Sequence, residues 1–256
     1  NGETDVLGRL RARIRPFMLR RTKSEVVKEL PEKVEQITRL ELTPAHRRRY
    51  DQHLTRERTR GLGMLEDMDR NRVAIFRALT KLRQLALDPR LVDTDLPPIP
   101  SAKITALLGQ IRELAEEGHR ALVFSSFTGF LKLVRGALEA EGIEYVYLDG
   151  RTRDRPARIA RFREGGAPVF LISLKAGGFG LTLTEADYVF VLDPCWNPAA
   201  ENQAVDRAHR IGSADTIEEK VVALQQRKRD LFASVVDTGE FRSAAITATD
   251  IRGLLE

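Results

Sequence analysis

Short apolar segments alternate with amphipathic segments from residue 101 onward, and this rhythm constrains the fold more than any other feature of the chain. The apolar segments are short and almost continuous, which is typical of strands buried on both faces of a parallel sheet. Four such segments are residues 120–125, 145–148, 169–173 and 189–193. Strands separated by helices predict an α/β fold, a doubly wound parallel sheet with helices on both faces.

Ligands of doubly wound sheets bind at the carboxyl ends of the strands, so the loops after these segments are the candidate site. The loop after Ser173 contains Lys175 and three glycines, Gly177, Gly178 and Gly180. Glycines let backbone amides approach an anion closely, and a lysine adds a positive charge. A glycine-rich turn without a ligand is the alternative interpretation of this loop.

The loop after Asp193 holds the single tryptophan of the chain, Trp196, beside Asn197 and between two prolines. This ring can stack on a base or a sugar, or it can brace the loop against the next helix. The residues alone leave both interpretations open. Cys195 is the only cysteine, which excludes a disulfide framework and a multi-cysteine zinc site.

The segment Glu201–Gly212 is predicted to be one helix, because its residues sort onto distinct faces at helical spacing. Gln203, Arg207 and Arg210 share one stripe of this helix. Two arginines one turn apart present planar forks that suit a multiply charged oxyanion such as a phosphate chain. An exposed basic helix with pairs of opposite charge is the alternative.

The first hundred residues have a different character. We divide the chain into a basic segment at 1–32, a strand and helical insertion with a proline-rich linker at 33–100, the main α/β unit at 101–236 and a short brace at 237–256. The net charge of +5 favours a polyanionic partner only weakly. No apolar run is long enough to span a bilayer, so we expect no membrane partner.

Two absences limit the chemistry that this chain can perform alone. No Gly-x-x-x-x-Gly-Lys-Ser/Thr segment occurs, and no acidic tetrad of the Asp-Glu-Ala-His kind follows a strand. The chain therefore lacks the usual phosphate loop and the carboxylates that hold magnesium and orient water. If it serves nucleotide hydrolysis, it supplies only part of the site.

Together these motifs resemble the second, C-terminal RecA-like lobe of a superfamily-two helicase-like ATPase, and they are most similar to the Swi/Snf-type DNA translocases. The resemblance covers nearly the whole chain. The segments that carry it are Arg15–Arg21, Leu82–Leu85 with Asp88–Pro89, Val123–Phe127, Leu148–Thr152, Ser173–Leu183 (motif five) and Gln203–Gly212 (motif six).

The resemblance implies a division of labour between two lobes. A first lobe would hold ATP and Mg²⁺, and this lobe would close over it and add Arg207 and Arg210 as arginine fingers. It further implies that Gln203 and Asp206 orient these arginines or couple them to DNA, and that Gly178 and Gly180 lie at the nucleotide. Contacts to double-stranded DNA would come from Ser125, Ser126, Thr152, Lys175, Gly177, Trp196 and Asn197.

The chain departs from the family pattern after motif six. A further strand normally precedes the segment Thr216–Lys220, but only Ser213, Ala214 and Asp215 intervene here. Either the strand is absent or a stretch is missing from the sequence. We favour the second interpretation, because loss of the strand would expose a sheet edge.

Two other functions remain open at this point, a lobe of an RNA helicase and a non-enzymatic binding module that reuses the fold. We expect an intracellular location, in the cytoplasm or nucleoid, or in the nucleus of a eukaryote.

Overall fold

A six-stranded parallel sheet forms the centre of the computed structural model, which describes residues 36–64, 67–95, 99–177, 183–195, 209–226 and 247–255. The strands are β1 (Gln36–Leu40), β2 (Ala121–Ser125), β3 (Tyr145–Leu148), β4 (Val169–Ser173), β5 (Tyr188–Val191) and β6 (His209–Ser213). Their order across the sheet is β1-β6-β5-β2-β4-β3, and every neighbouring pair is parallel. The predicted parallel α/β fold is confirmed.

Helices cover both faces of this sheet. They are α1 (Pro44–Met64), α2 (Met68–Leu87), α3 (Ala102–Glu116), α4 (Thr128–Ala140), α5 (Arg155–Arg163), α6 (Leu174–Gly177), α7 (217–226) and α8 (Ala248–Leu255). Helices α3 and α4 pack on one face, whereas α5 and α6 pack on the other. None of the described helices is apolar enough over a sufficient length to cross a bilayer.

The central strand β2 shows why both faces need a cover. All five of its residues are buried, so its side chains alternate between two apolar layers. Val123 points into the layer with α3 and α4, while Leu122 and Phe124 point into the layer with α5 and α6. Ser101 caps α3 by accepting a hydrogen bond from the Ile104 amide at 3.4 Å.

A third apolar cluster lies under the pair α1 and α2, which we call the helical insertion. Tyr50 of α1 and Leu79, Leu82 and Leu85 of α2 pack there against α7 and α8. The Tyr50 hydroxyl also accepts a hydrogen bond from the Ile217 amide, the first residue of α7, at 2.7 Å. The insertion is therefore joined to the end of the chain that follows the sheet.

The prediction of one helix over 201–212 is wrong for residues 209–212, which belong to β6. Residues 201–208 lie outside the described part of the chain. Strand β6 pairs with β1 on one side and with β5 on the other, so its backbone is hydrogen-bonded within the sheet. Ile211 is 2% exposed in the layer with α3 and α4. Sheet pairing and this burial outweigh the helical spacing of the sequence.

Strand β6 lies between β5 and β1, and its residues 209–212 are also the last residues of motif six. The expectation that a stretch is missing after motif six stays a prediction. The turn to α7 contains only Ala214, Asp215 and Thr216, and Asp215 adopts a left-handed φ of 51°. Aspartate tolerates this conformation better than most residues. Arg47 of α1 donates hydrogen bonds to the Ala214 and Asp215 carbonyls at 2.8 and 2.9 Å.

A buried histidine links the two helices of the insertion. His46 is 1% exposed, and its Nε2 lies 2.6 Å from the Leu85 carbonyl oxygen, so Nε2 carries the proton of the neutral ring. Burial lowers the pKa of His46, although the Leu85 carbonyl and the Asp88 carboxylate oppose this effect. The folded state therefore resists a proton that the unfolded chain accepts.

We predict that this histidine makes the protein less stable as the pH falls through the ordinary histidine pKa. The free energy of unfolding attributable to His46 is fully present above that pKa and declines below it, by at most about 1.4 kcal/mol per pH unit. The variant His46→Gln can still donate to Leu85 and does not titrate. Urea unfolding between about pH 8 and about pH 5 should give a shallower decline for the variant. If the free energy of unfolding depends on pH in the same way in the two proteins, His46 does not contribute to that dependence.

Candidate functional site

Four strand ends meet at one edge of the sheet. Because β5, β2, β4 and β3 are neighbours in that order, the loops that follow them are arranged side by side along the carboxyl edge. These loops begin at Leu192, Ser126, Leu174 and Asp149. The structure thus brings together the loops that the sequence singled out.

Ser125 and Ser126 contact a buried carboxylate at this edge. The Ser125 hydroxyl donates to Asp193 Oδ1 at 2.5 Å, and the Ser126 amide donates to the same oxygen at 2.9 Å. Ser125 is 0% exposed, so a direct contact between its side chain and a DNA phosphate does not fit this arrangement. Ser126 is half-buried and lies at the start of the loop.

Thr152 closes a tight turn after β3. Its hydroxyl accepts a hydrogen bond from the Asp149 amide at 3.0 Å and donates to Asp149 Oδ1 at 3.3 Å. Partial burial opposes ionisation of Asp149, but hydrogen bonds from the Arg151 amide and from the Tyr147 and Thr152 hydroxyls outweigh it and lower the pKa of this carboxyl. The turn is therefore fixed by its own carboxylate, and Thr152 remains half-exposed at the rim.

Lys175 lies on the short helix α6 and is exposed at the same edge. The Ser173 hydroxyl accepts a hydrogen bond from the Ala176 amide at 3.3 Å, which fixes the start of this turn. Arg155 of α5 donates to the Ala176 carbonyl at 2.7 Å. Gly177, the last residue of α6, therefore directly follows a residue, Ala176, that is hydrogen-bonded to α5.

Several arginines of this rim were missed by the sequence interpretation. Arg151 and Arg153 are exposed in the turn after β3, and Arg158 is exposed on α5. The positions of Arg151 and Arg153 soon after β3 were a usable signal, because the loop after this strand was already a candidate. With Lys175, they give the carboxyl edge a positive rim that suits a phosphate backbone.

The nucleotide-facing predictions lie largely outside the described residues. Gly178, Gly180, Gln203, Asp206 and Arg207 are in this group, and the predicted DNA contacts Trp196 and Asn197 also lie outside the described residues. Arg210 is described through its backbone, which pairs with Ile37 of β1 and Val191 of β5, three residues before β6 ends. Arg210 therefore lies in a strand and not on the helix that its spacing predicts.

Two buried carboxylates lie near the carboxyl edge, Asp193 and Glu218. Both are engaged within the lobe, Asp193 with Arg83 and Glu218 with Lys103. No group of three histidine, cysteine, aspartate or glutamate side chains suited to a metal occurs among the described residues.

Comparisons with known proteins decide the family. Residues 102–212 match the family model described as helicase conserved C-terminal domain, and residues 1–91 match the model described as SNF2-related domain. The chain belongs to the SNF2 family. Its sheet and helices are those of the C-terminal RecA-like lobe of these helicase-like ATPases.

Relatives of this SNF2 lobe occur in bacteria and eukaryotes. An uncharacterized ATP-dependent helicase of Mycoplasma pneumoniae is 38% identical over 251 residues, which cover 91% of this chain and 24% of the relative. The chromatin structure-remodeling complex subunit snf21 of Schizosaccharomyces pombe is 32% identical over 266 residues, 92% of this chain and 22% of the relative. The chain thus spans about a quarter of the length of these relatives.

Solved structures of the family agree with this assignment. The Sulfolobus solfataricus SWI2/SNF2 ATPase C-terminal domain is 27% identical and superposes with a TM-score of 0.67, covering 86% of this chain and 93% of that one. The ATPase core of the same organism in complex with dsDNA gives a TM-score of 0.67 at 26% identity, and the match covers 91% of this chain and 52% of that core. The match to this chain therefore covers about half of that ATPase core.

Proposed function

We propose that this chain is the second lobe of an ATP-dependent translocase on double-stranded DNA, and that it is inactive without a first lobe. The observation that carries the proposal is the fold of an SNF2 C-terminal lobe in a chain whose given sequence has no phosphate-loop segment. A first lobe would hold ATP and Mg²⁺, which supply the reacting phosphate and neutralise part of its charge. The residues of this chain would bind DNA and approach the phosphates from the other side.

Arg207 and Arg210 are the proposed contacts to the nucleotide, oriented by Gln203 and Asp206 and backed by the amides of Gly178 and Gly180. A guanidinium is always charged and can hold two phosphate oxygens at once. Its charge stabilises negative charge that develops during phosphoryl transfer. The backbone of Arg210 belongs to β6 and pairs with Val191 of β5, so the proposed contact of Arg210 would come from a strand of the sheet.

We predict that Arg207→Ala and Arg210→Ala each reduce ATP hydrolysis by the protein with both lobes present. DNA-stimulated turnover should fall by about 10³-fold, the size of effect that arginine fingers have in well-studied cases. Steady-state phosphate release at saturating duplex DNA measures it. Arg252→Ala is the matched control, since Arg252 is an exposed arginine on α8, which packs with the insertion. Full activity of both finger variants would remove this assignment.

The proposed DNA surface is the positive rim of the carboxyl edge. Lys175 is exposed there, and Thr152 and Ser126 are partly exposed. Ser125 is buried and donates a hydrogen bond to Asp193. Gly177, Trp196 and Asn197 extend the proposed surface along the adjoining loops. Contacts from lysine, arginine and hydroxyl groups read the phosphate backbone and carry no sequence information. The related Sulfolobus core was solved in complex with dsDNA, which supports a duplex as the ligand.

We predict that Lys175→Ala weakens duplex binding to a similar extent for every sequence. The slope of log K against log salt should decrease in magnitude by about one, because one phosphate contact is lost. A filter-binding salt titration with this chain measures the slope. Arg112→Ala serves as control, because Arg112 is exposed on α3 and already paired with Glu141. An unchanged slope for Lys175→Ala would remove this residue from the surface, and a clear preference for RNA over duplex DNA would favour an RNA helicase.

A further inference from the structure

A buried ion pair joins the helical insertion to the DNA-facing loops. Arg83 of α2 is 4% exposed and Asp193, just after β5, is 1% exposed; Arg83 Nη2 donates to Asp193 Oδ2 at 3.2 Å. The same nitrogen also donates to the Pro194 carbonyl. These residues are 110 positions apart in the sequence, so the pair fixes two distant parts of the chain to each other.

The other oxygen of Asp193 extends this link into the loop after β2. Asp193 Oδ1 accepts the Ser125 hydroxyl and the Ser126 amide, so the carboxylate fixes the backbone at the start of that loop. The Arg83 guanidinium also lies 5.1 Å from the centre of the Phe127 ring, within the range of a cation–π contact. Arg83 therefore contacts both loops, through Asp193 and Pro194 after β5 and through Phe127 after β2.

We propose that Arg83 and Asp193 are positioning residues, which hold the loops after β2 and β5 in a DNA-binding geometry and couple them to the helical insertion. The proposal rests on the proposed function of these loops in DNA binding. Neither side chain is exposed enough to contact DNA itself. Their effect is on Ser126 and on the segment that continues from Pro194 toward Trp196.

A neighbouring buried pair provides a matched control. Lys103 of α3 is 2% exposed and Glu218 of α7 is 1% exposed; Lys103 Nζ donates to both oxygens of Glu218, at 2.7 and 2.9 Å, and to the Leu192 carbonyl at 2.7 Å. Glu218 Oε2 in turn accepts the Ser213 amide at 2.8 Å. This pair has the same charges and burial but none of these hydrogen bonds reaches Ser126 or Phe127. Its loss should destabilise the lobe without displacing the loop after β2.

The experiment compares Arg83→Met, Arg83→Lys and Lys103→Met in this chain. Each protein is tested for thermal unfolding, for binding to a short DNA duplex at a temperature where it is folded, and for amide hydrogen exchange in the segment 125–127. Lysine at position 83 keeps the charge beside Asp193, but a single ammonium cannot maintain the contacts to Asp193, Pro194 and Phe127 together. Arg83→Lys is therefore the variant that decides the result if Arg83→Met does not fold.

We expect Arg83→Met to weaken duplex binding by about tenfold and Arg83→Lys by about threefold, with faster exchange at 125–127 in both. Lys103→Met should lower the unfolding temperature as much as Arg83→Met while leaving exchange at 125–127 as in the wild type. Wild-type affinity and exchange in folded Arg83→Lys would overturn the proposal, as would equally fast exchange at 125–127 in Arg83→Met and Lys103→Met. If the unmodified chain does not bind duplex DNA, the proposed function fails, and the exchange at 125–127 still decides whether Arg83 positions the loop.

Discussion

Burial of the parallel sheet on both faces is the constraint on which the rest of this structure depends. Since β2 is buried along its whole length, helices must cover both sides, and polar groups can gather only at the strand ends. At the carboxyl edge lie Ser125 and Ser126, the basic turn residues Arg151 and Arg153, and the short helix α6. The position of the candidate site is thus a consequence of how the core is covered.

Buried charges then decide how the helical insertion is attached to this sheet. A carboxylate such as Asp193 or Glu218 would be costly inside the protein without a partner, and each has one cation and further donors around it. Arg83 and Lys103 therefore do more than neutralise charge, because their hydrogen bonds fix α2 and α3 to the backbone after β5. In this lobe the insertion and the carboxyl edge behave as one connected unit.

The strands with continuous apolar runs could be predicted from the sequence, because local hydrophobicity alone specifies a strand that is buried on both faces. The alternating pattern around Ile37 also predicted β1, although nothing local shows that β1 joins the main sheet beside β6. Strand β6 was missed, since its residues have helical spacing and become a strand only through pairs with β1 and β5. The pair of Arg83 and Asp193 could not be predicted, because no local pattern connects residues that are 110 positions apart.

The central claim is that this lobe holds half of a composite nucleotide site. The most direct test measures DNA-stimulated ATP hydrolysis by this chain alone, by its first lobe alone and by the two together. The account predicts negligible turnover by this chain with or without duplex DNA, and turnover that DNA stimulates only when both lobes are present. Robust hydrolysis by this chain alone would contradict the account.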